Sequence, residues 1–195
     1  MTNDFIPFRK IPRLSREIVI TEKIDGTNAQ ICIPAANAEP VTDGFPVYID
    51  HATGAMLYAG SRNRWLSREA DNFGFAKWCA DNCGELMKLG PGRHYGEWWG
   101  LGIQRGYGLN ERRFSLFHAH GIAAKPDCVS VVPVLYQGDF DTHWIDRAIE
   151  SLERDGSYAA PGFMDPEGIV IYHSAANVLF KKTLKDDKKP KGAAA

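Results

Sequence analysis

The sequence predicts an α+β domain built on antiparallel sheets. Short runs rich in Val, Ile, Tyr, Phe and Trp recur along most of the chain, while helical spacing marks only two segments. Runs and helical segments do not alternate in the regular order that a doubly wound parallel sheet requires.

The first two β-rich runs, 18–22 and 29–33, flank Asp25-Gly26-Thr27-Asn28. An Asp-Gly between such runs predicts a hairpin, with the glycine supplying the positive φ of the turn. After Asp71, the residues Phe75, Cys79, Asn82, Cys83 and Leu86 recur at helical spacing, and Gly90-Pro91-Gly92 ends that segment. Strands are expected at 95–99, 114–118 and 130–136. The second helix spans 141–154 with Ile145, Ala148, Ile149 and Leu152 on one face, Asp141 as its cap and Gly156 as its stop. Two further strands follow, at 168–173 and 178–182. No internal repeat is present, so residues 1–184 read as one domain, and 185–195 as a charged, frayed tail.

Composition bounds the function. The net charge of −1 provides no global basic field of the kind that grips a polyanion passively, which leaves room for an enzyme with its positive charge gathered in one cleft. No apolar run approaches the length of a membrane span, and Met1 to Lys10 lacks the apolar core of a signal peptide, so no membrane is expected. The four cysteines form no Cys-x-x-Cys pair, which argues against a zinc knuckle or disulfide framework and for a reducing cytoplasm. His118 and His120 could share a strand face, yet they have no ligand-type partners at useful spacing.

The chemistry begins at Glu22-Lys23-Ile24-Asp25-Gly26-Thr27-Asn28. Strand alternation puts Lys23 and Asp25 on one side at the mouth of a tight turn. A lysine held among fixed neighbours and partly desolvated favours the neutral amine, the form that attacks phosphorus. Taken alone, Lys-x-Asp-Gly also fits an ordinary surface lysine before a turn. In Gly60-Ser61-Arg62-Asn63-Arg64, a guanidinium fork suits bidentate contact with phosphate. A solvated basic loop is the alternative reading of this segment, and it is preferred for Arg64. In Tyr95-Gly96-Glu97-Trp98-Trp99, a carboxylate among aromatics is costly without a partner or a task, and both tryptophans are read as core. Three more segments complete the set: Phe114-Ser115-Leu116-Phe117, Glu167-Gly168-Ile169-Val170, and Leu179-Phe180-Lys181-Lys182-Thr183.

Taken in order, these segments resemble the motifs of the covalent nucleotidyltransferases, the superfamily of DNA ligases, RNA ligases and mRNA capping enzymes. The string Glu-Lys-Ile-Asp-Gly-Thr-Asn-Ala is most similar to the RNA ligase branch that seals nicks in duplexes, and the resemblance spans 18–183. It implies the ligase and capping-enzyme adenylation fold, with antiparallel sheets flanked by helices. It implies that Lys23 takes AMP from ATP, that Glu22 helps seat the adenine, and that Asn28 helps orient the reacting groups. The role of Asp25 varies within the family. Arg62 would approach phosphate, Glu97 would hold the ribose, and Phe117 would stack on the adenine, a position that Phe114 could be confused with. Glu167 would bind the catalytic Mg2+, which needs little more than one carboxylate and the ATP phosphates. The lysines of the last segment would contact the α-phosphate. The usual spacing there is lysine, one residue, lysine; here Lys181 and Lys182 are adjacent, and alternation favours Lys181.

The implied activity is an ATP-dependent polynucleotide ligase, acting on RNA in preference to DNA. It would join 3′-hydroxyl and 5′-phosphate ends or nicks through a lysyl-AMP intermediate and an AMP-capped 5′ end. Relatives commonly carry a further domain, often an OB fold, that clamps the nucleic acid. None is expected after residue 184, so the expectation is weak nucleic-acid binding, strong salt dependence, or a protein partner that supplies that surface. A GTP-dependent capping-type guanylyltransferase and a noncatalytic module binding nucleic-acid ends are the rival readings.

Overall fold

The computed structural model describes residues 4–39, 41–122, 124–185 and 187. The chain runs β1 (Glu17–Lys23), β2 (Thr27–Ile33), β3 (Tyr48–Ile49), β4 (Met56–Ser61), α1 (Phe75–Asp81), α2 (Cys83–Leu86) and β5 (Gly92–Gly100). It continues through β6 (Arg112–Leu116), β7 (Val129–Val131), β8 (Val134–Asp139), α3 (Thr142–Asp155), β9 (Gly168–His173) and β10 (Val178–Thr183).

Two sheets result. Sheet 1 has four strands in the order β10-β9-β1-β8, and sheet 2 has six in the order β3-β4-β2-β5-β6-β7. In β1, Ile18, Ile20 and Glu22 are buried on one face, while Val19, Thr21 and Lys23 line the other. The buried isoleucines join Ile169 and Ile171 of β9 against Ala148 and Leu152 of α3. Asp141 caps α3, its carboxylate accepting from the His143 amide at 2.8 Å, and Gly156 ends the helix in a positive-φ conformation. Sheet 2 buries Ala29, Ile31, Leu57, Trp98 and Phe114 against Phe75, Cys79 and Leu86 of the helical segment.

The expected hairpin does not form. β1 and β2 belong to different sheets, and Asp25-Gly26 carries the chain from one to the other. Gly26 serves close approach here: a Cβ would fall 2.5 Å from the Trp98 carbonyl oxygen and 2.7 Å from the Trp99 Cβ. The run 130–136 is likewise split, into β7 of sheet 2 and β8 of sheet 1. Pro133 lies between them, without an amide to continue a ladder, and its carbonyl accepts from the Glu22 amide at 2.9 Å. A small core of Ile24, Val132, Trp99, Tyr107 and Ala160 fills the space at these two crossings.

Other departures are local. The segment after Asp71 is α1, α2 and a 3-10 turn at Met87–Leu89 rather than one helix. β6 stops at Leu116, leaving His118 and His120 exposed in the following loop. β6 pairs with β7 in parallel, so sheet 2 is mixed. β3 and β4 were not anticipated; the motif around Arg62 follows directly on β4. Of the tail expected at 185–195, only Lys185 and Asp187 fall among the described residues.

Candidate active site

The two sheets bring the charged residues of distant segments together at the Ile24–Gly26 crossing. Lys23 ends β1 and pairs in register with Gly168 at the start of β9. That register sets Glu167, the residue before β9, against the lysine: Nζ donates to Glu167 Oε2 at 2.5 Å, with the side chains 20% and 6% exposed. Gly168 adopts φ +151°, and a side chain there would run into the Lys182 carbonyl and the Thr183 Cα of β10.

Glu97 approaches from sheet 2. Asn28 on β2 is its direct partner across the ladder, and the Gly26 amide donates to Glu97 Oε1 at 3.2 Å. Burial pushes the Glu97 carboxyl up to about 7. The nearby charges of Lys23 and Arg62 and the Gly26 amide work against that rise, and the Glu167 carboxylate works with it. Lys23, Arg62, Glu97 and Glu167 therefore share one electrostatic environment. Arg62 is exposed just beyond β4, and neither it nor Asn28 makes a side-chain hydrogen bond among the described residues.

The lysines of β10 separate. Lys181 lies in register with Val170 and, through it, Thr21, so it is on the face of sheet 1 that carries Lys23. Lys182 points to the other face, where Nζ donates to Asp146 of α3 at 2.9 Å. Phe117 lies one residue past β6, its amide donating to the Tyr95 carbonyl, and is 37% exposed, whereas Phe114 is fully buried. Trp98 and Trp99 are both buried, with their indole N–H groups donating to the Phe73 carbonyl and the Ser115 hydroxyl.

Glu22 is next to Lys23 in sequence but on the opposite face of β1. Its buried carboxylate accepts from the Ser157 hydroxyl at 2.5 Å and from the Tyr158 and Ala159 amides at 2.9 Å each. Burial pushes its pKa above the ordinary carboxylate value, and these three donors oppose the rise. The side chain thereby anchors the loop after α3. Arg64 is exposed in the loop after β4, where it donates to the carbonyls of Trp65, Ala70 and Asp71 and holds that loop in shape.

Sequence reasoning missed Arg105 and Tyr107. Arg105 Nε donates to Asp25 Oδ2 at 3.0 Å, and Nη1 reaches the Asp165 carbonyl at 2.8 Å and its carboxylate at 3.0 Å. The Tyr107 hydroxyl accepts from the Asp25 amide at 2.7 Å. Both sit in a glycine-rich loop in which Gln104 and Tyr107 take left-handed φ values of 46° and 53°. The signal available in sequence was the density of glycines, at 100, 102, 106 and 108, around one arginine and one tyrosine.

The donor set suits a magnesium ion held largely by a nucleotide's phosphates. Glu167 offers a carboxylate beside Lys23, and the described residues contain no group of three metal-ligating side chains that would make a self-sufficient cage. Among those residues no helix is long and apolar enough to cross a membrane.

Comparison with solved structures finds the same fold in the RNA ligase of Naegleria gruberi. An apo lysine-to-alanine variant of that enzyme superposes with TM-score 0.53 at 15% identity, over 87% of this chain and 50% of that one. A second lysine-to-alanine variant, bound to ATP and Mn, gives 0.52 at 15% identity over 90% and 52%. An apo aspartate-to-alanine variant gives 0.54 at 16% over 91% and 53%. The chain thus spans about half the length of the ligase it matches. No curated protein sequence matches it. The family model described as RNA ligase matches residues 16–185, from the start of sheet 1 to just past its last strand, so the nucleophile candidate, the carboxylates and both sheets all lie within the match; the chain belongs to the RNA ligase family.

Proposed function

We propose that this chain joins RNA ends as an ATP-dependent ligase, with Lys23 as the residue that accepts AMP. The observation that carries the reading is the Lys23–Glu167 pair at 2.5 Å, bordered by Glu97 from the second sheet. A partly desolvated amine fixed at a strand end is poised to attack the α-phosphorus, displacing pyrophosphate and losing a proton as the phosphoramide bond forms. The solved ligases with ATP or AMP and Mn support a nucleotide and a divalent metal as the needs of the family's fold.

In this proposal Arg62 and Lys181 neutralise phosphate oxygens, Asn28 and Glu97 fix the nucleotide from sheet 2, and Phe117 offers an exposed ring to the base. Lys182 contributes through Asp146 and α3 rather than through the nucleotide. Magnesium, when bound at Glu167, would supply charge neutralisation on the reacting phosphates. The AMP then moves to an RNA 5′-phosphate, and attack by the neighbouring 3′-hydroxyl closes the strand and frees AMP. The four cysteines are free thiols, and a reducing cytoplasm forms part of the same proposal.

The test is incubation with magnesium and α-labelled ATP or GTP, followed by intact mass and peptide mapping. An AMP adduct on Lys23, absent in Lys23→Ala, is the expected result. The same variant should still close an RNA strand supplied already adenylylated. A GMP adduct would make the protein a capping-type transferase. No adduct from either nucleotide, in protein stripped of bound AMP, would make it a binding module for nucleic-acid ends.

A further inference from the structure

The segment before β1 carries Arg9, Lys10, Arg13 and Arg16 against the single carboxylate of Asp4, in a chain whose net charge is −1. Three of these cations, Lys10, Arg13 and Arg16, line an open-mouthed cavity of about 570 Å³ bordered on its other side by Ala175 and Ala176 of the β9–β10 turn. No carboxylate lines it, and among the described residues none of the three side chains forms an ion pair. The cavity is held in shape by a buried histidine. His173 Nε2 lies 2.8 Å from the Leu14 carbonyl, and Nδ1 accepts from the Ala176 amide at 3.2 Å, so one imidazole ties the two walls together. The Ser174 hydroxyl and amide add two further bonds to the Glu17 carbonyl.

We propose that this cavity binds the phosphate backbone of the polynucleotide several nucleotides away from the end being joined. The inference rests on the ligase reading of the Lys23 site. Its distance is set by β1: the cavity adjoins Glu17 and the nucleophile is Lys23, so about 20 Å of strand separates them at about 3.3 Å per residue. At about 3.4 Å per nucleotide along a strand, that is roughly six nucleotides. Uncompensated cations on a braced frame attract phosphate without reading sequence, and they do so by releasing counterions. The rest of the chain, net acidic once this segment is set aside, repels a polyanion, so the cavity also fixes which way the substrate approaches.

The experiment measures binding of a fluorescent nicked RNA duplex, with long arms on both sides of the nick, across a series of KCl concentrations. The protein is compared with a triple variant, Lys10→Ala, Arg13→Ala and Arg16→Ala. The variant's log–log salt slope is expected to be shallower by about 2 to 3, with affinity at moderate salt reduced roughly 10- to 100-fold. A double variant that keeps charge, Arg13→Lys with Arg16→Lys, should retain the slope. A duplex with arms of only about four base pairs, too short for the span, should bind parent and triple variant alike. AMP-adduct formation needs no polynucleotide and should proceed at the parental rate in both variants. Equal slopes for parent and triple variant, with unchanged melting temperature, overturn the proposal. So does loss of slope in the charge-preserving variant, or loss of adduct formation in the triple variant. Absence of any adduct in the parent protein defeats the ligase reading instead, and the salt slopes still report on the cavity.

Discussion

Lys23 and Glu167 stand 144 residues apart in sequence and meet at 2.5 Å because β1 and β9 are neighbours in register. One carboxylate therefore lies where it holds the nucleophile candidate and where a metal would be bound. Removing one member of a buried ion pair costs about 3–5 kcal/mol, and the solvent reaching Lys23 brings the expectation for Glu167→Ala to about 2 kcal/mol. The same substitution should slow AMP-adduct formation by about 100-fold or more and flatten its dependence on magnesium. Chemical denaturation and single-turnover labelling measure the two effects separately.

Arg105 locks Asp25 of the crossing to Asp165 just ahead of Glu167. Its loss should loosen the placement of Lys23 against Glu167 without removing a group that reacts. Small misplacements in an active site cost up to about 100-fold in rate. Arg105→Ala should therefore reduce the rate of adduct formation by about 10- to 100-fold at saturating ATP, and Arg105→Lys should recover part of it. Unchanged rates in Arg105→Ala would show that the crossing holds its shape without the clamp.

The buried Glu97 carboxyl makes stability depend on pH. Its folded-state value near 7 lies above the ordinary 4.5, so the folded protein holds the proton more tightly than the unfolded chain does. Stability from this group is thus fullest below about pH 4.5 and is lost as pH rises toward 7. Glu97→Gln removes the dependence. Relative to the parent, the variant should gain on the order of 1–2 kcal/mol between pH 5 and pH 8, read from denaturation midpoints without nucleotide.

Adjacent lysines on β10 should differ in consequence. Lys181→Ala, on the Lys23 face, should slow adduct formation by about 100-fold by removing a charge near the developing phosphate charge. Lys182→Ala should leave that rate within about twofold. The Lys182–Asp146 pair has side chains 38% and 62% exposed, so its loss should cost under about 1 kcal/mol. Labelling kinetics and melting curves of the two variants settle the comparison.

Local signals carried much of this molecule. The Asp141 cap, the Gly156 stop and the alternation that separates Lys181 from Lys182 depend on residues close in sequence, and each is where the pattern put it. The Asp25-Gly26 turn was misread because a hairpin and a crossing between sheets begin with the same dipeptide. What distinguishes them is Trp98 and Trp99 packed behind Gly26, a contact made across 72 positions or more of chain. Arg105 was invisible for a related reason: left-handed residues in its loop aim it at partners that no spacing rule connects. The burial of Glu22 was available in the period of Ile18 and Ile20, which places it on the apolar face.

The split between the sheets also governs the order in which the chain can acquire its chemistry. Sheet 2 has all its strands once Val131 has been made, but both partners of β1 begin at Val134 or later. During synthesis β1 is therefore a strand without a sheet, exposing Ile18, Val19 and Ile20 at unpaired edges while the body of the protein is already able to fold. Lys23 meets Glu167 only when β9 arrives, so a nascent chain still lacks the ion pair on which the proposed chemistry rests.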